Sequence, residues 1–117
     1  SQRLIVVFQP HRYSRLKFLI NEFASNLGKA DFIILAPIYG AGESPIKGIN
    51  NAKLRSVILN QYPKAPITIA NNFTEIKTAL INNTNTNDLI LIMGAGDITK
   101  LSDELTKKKG QSNYHAA

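Results

Sequence analysis

Three side chains that could bind an anion lie close together near the start of the chain. His11, Arg12 and Arg15 fall within residues 8–15, whose sequence is FQPHRYSR. The apolar residues 4–8 before them predict a strand, and apolar residues at helical spacing after them predict a helix. We therefore expect the three side chains at a strand-to-helix corner.

Basic side chains are unusual at such a corner, because a helix N-terminus already carries partial positive charge and each cation there costs about 0.3–1 kcal/mol. A bound phosphate or carboxylate would remove this conflict. The alternative is that both arginines are solvated and His11 only closes a turn after Pro10. We favour an anion site, because three such side chains occur together. Ser14 is predicted to cap the helix and Gly28 to end it.

Two further segments of unusual composition also follow predicted strands. The loop PIYGAGESPIKG, residues 37–48, comes after the apolar residues 32–36. The segment GAGD, residues 94–97, comes after the apolar residues 89–93. Because the loops at the carboxyl ends of parallel strands share one edge of the sheet, both segments should converge with FQPHRYSR.

These two loops complete the predicted site. Gly94 and Gly96 would let backbone N–H groups approach an anion at the start of a helix, although a tight strand-to-helix turn needs glycine in any case. Asp97 could cap the last helix or pair with an arginine, Glu43 could orient a cation or be solvated, and Tyr39 could bind a ligand or be half-buried. The predicted substrate-binding residues are Tyr39, Gly42, Glu43, Gly94, Gly96 and Asp97, beside the catalytic candidates Arg12, Arg15 and His11.

The order of the apolar runs predicts the fold. Four continuous runs alternate with segments of helical period, which predicts an α/β domain: a Rossmann-like, three-layer arrangement of a mostly parallel sheet with helices on both faces. Asn50 or Asn51 should cap the second helix, and the last helix should cover residues 98–105. We place the domain at residues 1–106 and expect a basic, disordered tail at residues 107–117.

Composition excludes several classes of function. The 117 residues suit one domain, and with no cysteine and two histidines the chain lacks thiol catalysis and a His-rich metal site. The net charge of +6 falls to +3 without the three lysines of residues 107–109, so nucleic-acid binding is a minor alternative. No membrane-spanning run or signal peptide is evident, which leads us to expect a cytoplasmic protein. Because the chain begins with Ser1 and almost at once with a strand, we expect a piece of a longer protein.

The strings FQPHRYSR, IYGAGESPIKG and MGAGDI together resemble the C-terminal domain of the Mur ligases of peptidoglycan synthesis. The resemblance covers residues 3–105 and is strongest to the members that join L-alanine to UDP-N-acetylmuramate. It implies an enzyme that uses ATP and magnesium to make an acyl phosphate, which the amine of L-alanine then attacks. It also implies that ATP and magnesium bind mainly to a central domain. Both this central domain and the N-terminal domain are missing here.

The resemblance implies roles for individual residues as well. Arg12 and Arg15 would lie at the interface that forms when this domain closes over the central one, near the incoming amino acid and the acyl phosphate, with His11 beside them. The isolated domain would be inactive and would hold no metal or cofactor of its own. Two alternatives remain: a related ligase that attaches a peptide to the muramate, and a freestanding module for phosphorylated metabolites or nucleic acid.

Overall fold

The computed structural model describes residues 2–94 and 114–116, which form a single parallel sheet with three helices. The strands are β1 Leu4–Phe8, β2 Phe32–Leu35, β3 Ile67–Ile69, β4 Leu89–Met93 and β5 Tyr114–Ala116. The helices are α1 Tyr13–Leu27, α2 Asn51–Gln61 and α3 Phe73–Asn83. The strand order is β3-β2-β1-β4-β5, with every neighbouring pair parallel. The predicted α/β class with a parallel sheet is confirmed.

Helices cover both faces of the sheet, because successive side chains of a strand point to opposite faces. In β1, Val6 and Phe8 pack in one core cluster, and Ile5 and Val7 pack in the other. The first cluster includes buried residues of α1 and α2: Leu16, Ala24, Leu27, Leu54 and Ile58. The second includes buried residues of α3: Ile76, Ala79 and Leu80. The result is the three-layer, Rossmann-like arrangement that the sequence predicts.

The strand order places a binding crevice at the exit of β1. The chain moves from β1 to β2 and β3 on one side of the sheet, and then returns to place β4 on the other side of β1. Such a reversal opens a crevice at the carboxyl ends of the two strands concerned. Because Phe8 pairs with both Leu35 and Met93, three strands end at the same height. Their loops therefore start side by side.

The helix caps agree only in part with the predictions. Asn50 caps α2, its side chain accepting a hydrogen bond from the Lys53 backbone N–H at 2.8 Å, as predicted. In α1, however, the capping position is Arg12, no side chain at this position makes a capping hydrogen bond, and Ser14 lies inside the helix. The prediction that Ser14 is the N-cap is therefore wrong. Its backbone N–H is already one of the donors that need a partner.

Gly28 ends α1 as predicted, but for a different reason. Its φ of −63° is an ordinary right-handed value, so the left-handed freedom of glycine is not used. A Cβ at this position would lie 2.0 Å from Cδ2 of Tyr62, the residue that follows α2. The Tyr62 hydroxyl also donates to the Ser25 carbonyl oxygen at 3.0 Å. Glycine is thus required by close packing between the ends of two helices.

The end of the chain differs from the prediction of a disordered tail. Residues 114–116 form β5, and Tyr114 pairs with Ile90 of β4 in parallel register. A strand here is favourable because the outer edge of β4 would otherwise present unpaired N–H and C=O groups. For these three residues the prediction of disorder is corrected. The predicted last helix and the lysines of residues 107–109 lie outside the described residues, and the boundary at residue 106 stays a prediction.

Candidate functional site

A cleft of about 320 Å³ lies at the predicted position, between the ends of β1 and β4. An apolar floor and a polar rim line it. Its lining consists of Phe8, Gln9, His11, Arg15, Phe23, Met93 and Gly94. The structure therefore brings three predicted site residues into one crevice at the switch in strand order: His11 from the β1 loop, Arg15 from α1 and Gly94 after β4.

Arg15 is held above the apolar floor by an aromatic contact. Its guanidinium carbon lies 5.9 Å from the centroid of the Phe23 ring, which in turn packs on Phe8 with 5.0 Å between ring centroids. A cation over an aromatic face is attracted by about 0.5–1 kcal/mol at an exposed site. Within residues 2–94, Arg15 forms no ion pair with a carboxylate. Its N–H donors remain open to an anion in the cleft.

A short backbone bridge joins the β1 loop to the β2 loop. His11 and Tyr39 pair as an isolated parallel bridge, and their rings lie 5.5 Å apart. The Arg12 N–H donates to the Tyr39 carbonyl at 2.8 Å, and the Tyr39 N–H donates to the Pro10 carbonyl at 2.9 Å. These bonds confirm the predicted convergence of the two loops. Tyr39 is 48% exposed, so its ring is free to meet a ligand on its outer side.

Arg12 has a backbone conformation that glycine would normally supply. Its φ is 72° and its ψ is 137°, outside the regions that L-residues prefer. A residue held in such a region costs on the order of 1–3 kcal/mol and persists where its surroundings enforce it. Here the bridge to Tyr39 holds the Arg12 N–H, and the Arg12 carbonyl accepts from the Leu16 N–H at 3.2 Å. Because backbone strain of this kind is concentrated at functional sites, Arg12 stays among the candidate residues.

Glu43 caps α1 from a distance of 29 positions along the chain. The Ser14 backbone N–H donates to Oε1 of Glu43 at 3.0 Å, and the Ser14 hydroxyl donates to Oε2. These two bonds lower the pKa of Glu43, with smaller contributions from the Tyr13 N–H and the charge of Arg12. Glu43 therefore supplies a negative charge at the positive N-terminus of α1, and the binding of an external anion at this corner stays a prediction.

The predicted glycines differ in where they lie relative to the cleft. Gly42, with φ of 89°, and Ala41, with φ of 52°, form a tight turn that is closed by the Glu43 N–H donating to the Gly40 carbonyl at 3.0 Å. This turn presents Glu43 to α1, so Gly42 has a structural task. Gly94, with φ of 147°, directly follows β4 and lines the cleft. Gly96 and Asp97 lie outside the described residues.

Gln9 is a site residue that the sequence analysis missed. Its backbone N–H donates to the Met93 carbonyl at 2.9 Å, and its side-chain Nε2 donates to the Pro37 carbonyl at 2.9 Å. One residue therefore connects the exits of β1, β2 and β4. Its Oε1 is buried and has no hydrogen-bond partner among residues 2–94. A glutamine directly after an apolar run has no distinctive spacing, so only its position at the meeting of three strands reveals it.

The cleft offers positive charge and hydrogen-bond donors. Among the described residues, no three His, Asp or Glu side chains are grouped closely enough to hold a metal ion. None of helices α1 to α3 combines the length and apolar character that crossing a membrane would require. With Arg15 and His11 on its rim, the cleft is suited to binding and orienting a carboxylate or phosphate.

Comparison with known proteins identifies homologues of one name. No protein-family model matches the chain. Proteins named UDP-N-acetylmuramate--L-alanine ligase are 53% identical over 108 residues in Prochlorococcus marinus, 46% over 107 residues in Synechococcus sp. and 45% over 114 residues in Ruthia magnifica. The matches cover 92%, 92% and 97% of the chain. Each match therefore spans the β2 loop and helices α1 to α3.

The matched segment is a small part of each homologue. The chain spans 23%, 22% and 23% of the length of these three proteins. The chain is thus homologous to about one fifth of a UDP-N-acetylmuramate--L-alanine ligase, in its C-terminal part. This agrees with the resemblance carried by FQPHRYSR and the two later strings.

Proposed function

We propose that this chain is the C-terminal, closing domain of an ATP-dependent ligase that joins L-alanine to UDP-N-acetylmuramate. The observation that carries the proposal is the 53% identity to a protein named for that reaction, over 92% of the chain. The cleft at the end of β1 supports it, because a ligase that makes an acyl phosphate must orient several anionic groups. The missing N-terminal and central domains are its partners.

In the proposed reaction the uncharged amine of L-alanine attacks the carbonyl carbon of the muramoyl phosphate. The C–N bond forms, the C–O bond to phosphate breaks, inorganic phosphate leaves, and the amine nitrogen gives up a proton. ATP with magnesium, held mainly by the central domain, supplies the phosphoryl group. This domain supplies no phosphate loop of its own, since no GxxxxGK[ST] motif is present. We therefore expect the chain to be inactive alone.

The contribution of this domain is orientation and charge. Arg15, fixed above Phe23, would bind the carboxylate of L-alanine or the phosphate that departs. Arg12, at the N-terminus of α1, would add a second positive charge close to the cleft, although it is not one of the lining residues, and His11 lies where the two loops meet. Donors preorganised around developing negative charge are worth about 10²–10³-fold in rate each.

The test uses the full-length protein that contains this chain. Phosphate release that depends on both L-alanine and UDP-N-acetylmuramate should be present in the wild type and should fall about 100-fold in Arg15→Ala. Lys17→Ala is the matched control, because it removes an exposed positive charge from the same helix outside the cleft lining. Equal activity in both variants would contradict a role for the cleft. Preference for a peptide over L-alanine would indicate the related peptide ligase instead.

A further inference from the structure

The contacts of Glu43 bear on what this residue does in the ligase. Both carboxylate oxygens accept hydrogen bonds from Ser14, one from its backbone and one from its hydroxyl. Ser14 is the second residue of α1, two positions after Arg12. The first turn of the helix is therefore tied to the loop that carries Glu43, on the exposed side of the corner.

The same loop holds Arg12 from its other side. Tyr39, four residues before Glu43, accepts from the Arg12 N–H at 2.8 Å. The turn through Ala41 and Gly42 connects these two points of attachment. Arg12 thus lies between two contacts made by one loop, and its unfavourable φ of 72° is enforced from both sides. A change at either contact allows the backbone to relax toward an ordinary conformation.

We infer that Glu43 is a positioning residue, which holds Arg12 in its working place by capping α1, and that it is not a substrate ligand. The inference rests on the proposed function, because it takes Arg12 to be a group that the ligase needs. It departs from the sequence-based prediction, which placed Glu43 in the substrate-binding set. A carboxylate would also repel the carboxylate and phosphate groups that Arg12 and Arg15 are proposed to bind.

The kinetic test is a double-mutant cycle in the full-length enzyme with Glu43→Ala and Arg12→Ala. Displacing a reacting group by about 1 Å can cost up to 100-fold in rate, so Glu43→Ala should lower kcat by about 10- to 100-fold. If Glu43 acts through Arg12, the double variant should be no slower than Arg12→Ala alone, within about twofold. Glu43→Gln should recover part of the activity, because its amide oxygen still accepts from the Ser14 N–H.

A second readout does not depend on ligase activity. Hydrogen exchange of the backbone amides in residues 12–16 should become faster in Glu43→Ala, because the first turn of α1 loses its cap. Glu22→Ala is the matched control for both measurements, since it removes an exposed carboxylate of the same helix about two turns beyond Ser14. In that variant both kcat and exchange should equal those of the wild type.

Three results would overturn the inference. If the fold-losses in kcat of the two single variants multiply in the double variant, Glu43 acts independently of Arg12. A lower melting temperature with unchanged kcat would mean that the cap serves stability only. Unchanged exchange in residues 12–16 would mean that Glu43 does not hold this turn. A wild type without ligase activity would instead refute the proposed function. The exchange measurement would still show whether Glu43 stabilises the first turn of α1.

Discussion

The N-terminus of α1 and those of α2 and α3 are built in different ways. Asn50 and Asn72 have extended backbones, with φ of −160° and −162°, and each caps the N–H three residues further on. At α1 the capping position is a strained arginine, and the capping carboxylate comes from Glu43, 29 positions from its partner Ser14. Local, unstrained caps are found where a helix serves the fold. The strained, long-range cap is found beside the cleft.

Both ends of α1 depend on distant residues. Its N-terminus is held by Glu43 of the β2 loop, and its C-terminus packs on Tyr62 beyond α2. The two short helices have local N-caps and contribute mainly buried apolar side chains to the core. Helix α1 is therefore positioned by the β2 loop and by the residue that follows α2, whereas the N-termini of α2 and α3 are capped locally.

The largest expected effect is on turnover, from removing Arg12. Arg12→Gly should lower kcat about 100-fold or more, because the guanidinium is lost from the site. The same change should raise the free energy of unfolding by about 1 kcal/mol, because glycine adopts φ of 72° without strain. Arg12→Ala is the control: it should lose the same activity without the gain in stability. Turnover and urea denaturation measure the two effects. If glycine and alanine give equal stability, the backbone at position 12 is not strained.

A smaller effect is expected at the other end of the same helix. Gly28→Ala places a Cβ 2.0 Å from a ring atom of Tyr62, so either the ring or the end of α1 must move. Overpacking of this kind costs about 1–3 kcal/mol of unfolding free energy, measurable by urea denaturation. Combining Gly28→Ala with Tyr62→Ala should remove most of the added penalty. An equal penalty with and without the ring would show that packing against Tyr62 is not the cause.

The local caps should each contribute about 1 kcal/mol. Asn50→Ala and Asn72→Ala each remove a side-chain oxygen that accepts a backbone N–H at 2.8 Å, which typically costs about 0.5–2 kcal/mol of stability. Because both caps lie outside the cleft lining, kcat of the full-length enzyme should not change. Urea denaturation and turnover, measured on the same samples, would show this separation. A loss of turnover in either variant would mean that the local caps of α2 and α3 also affect catalysis.

The smallest effect is the pH dependence of the long-range cap. The Ser14 hydrogen bonds lower the pKa of Glu43 from its ordinary value of 4.5. The stabilisation is therefore complete above the ordinary pKa and is lost as the pH falls below it, through the folded-state pKa. Stability measured from pH 6 to pH 3 should decline less in Glu43→Gln than in the wild type. Identical declines would mean that the Glu43 carboxylate is not stabilised by its contacts.

Much of the fold follows from local patterns. Apolar runs predict four of the five strands, and Leu4–Phe8 and Leu89–Met93 have the predicted bounds. The helical periods and the cap of α2 also agree, because burial of one helix face and capping involve residues within a few positions of one another. The sequence further predicted that three loops converge, since parallel strands exit at one edge.

The sequence by itself determined four of the five strands, the three helices and the edge of the sheet that carries His11 and Arg15. Only the tertiary structure decided what holds them there: the carboxylate of Glu43 on Ser14, the positive φ of Arg12, and the link made by Gln9 between three strand exits. The physical reason is the separation, along the chain, of the residues that interact. Hydrophobic period and capping act between neighbouring residues, whereas these contacts join segments about thirty positions or more apart, which no local pattern records.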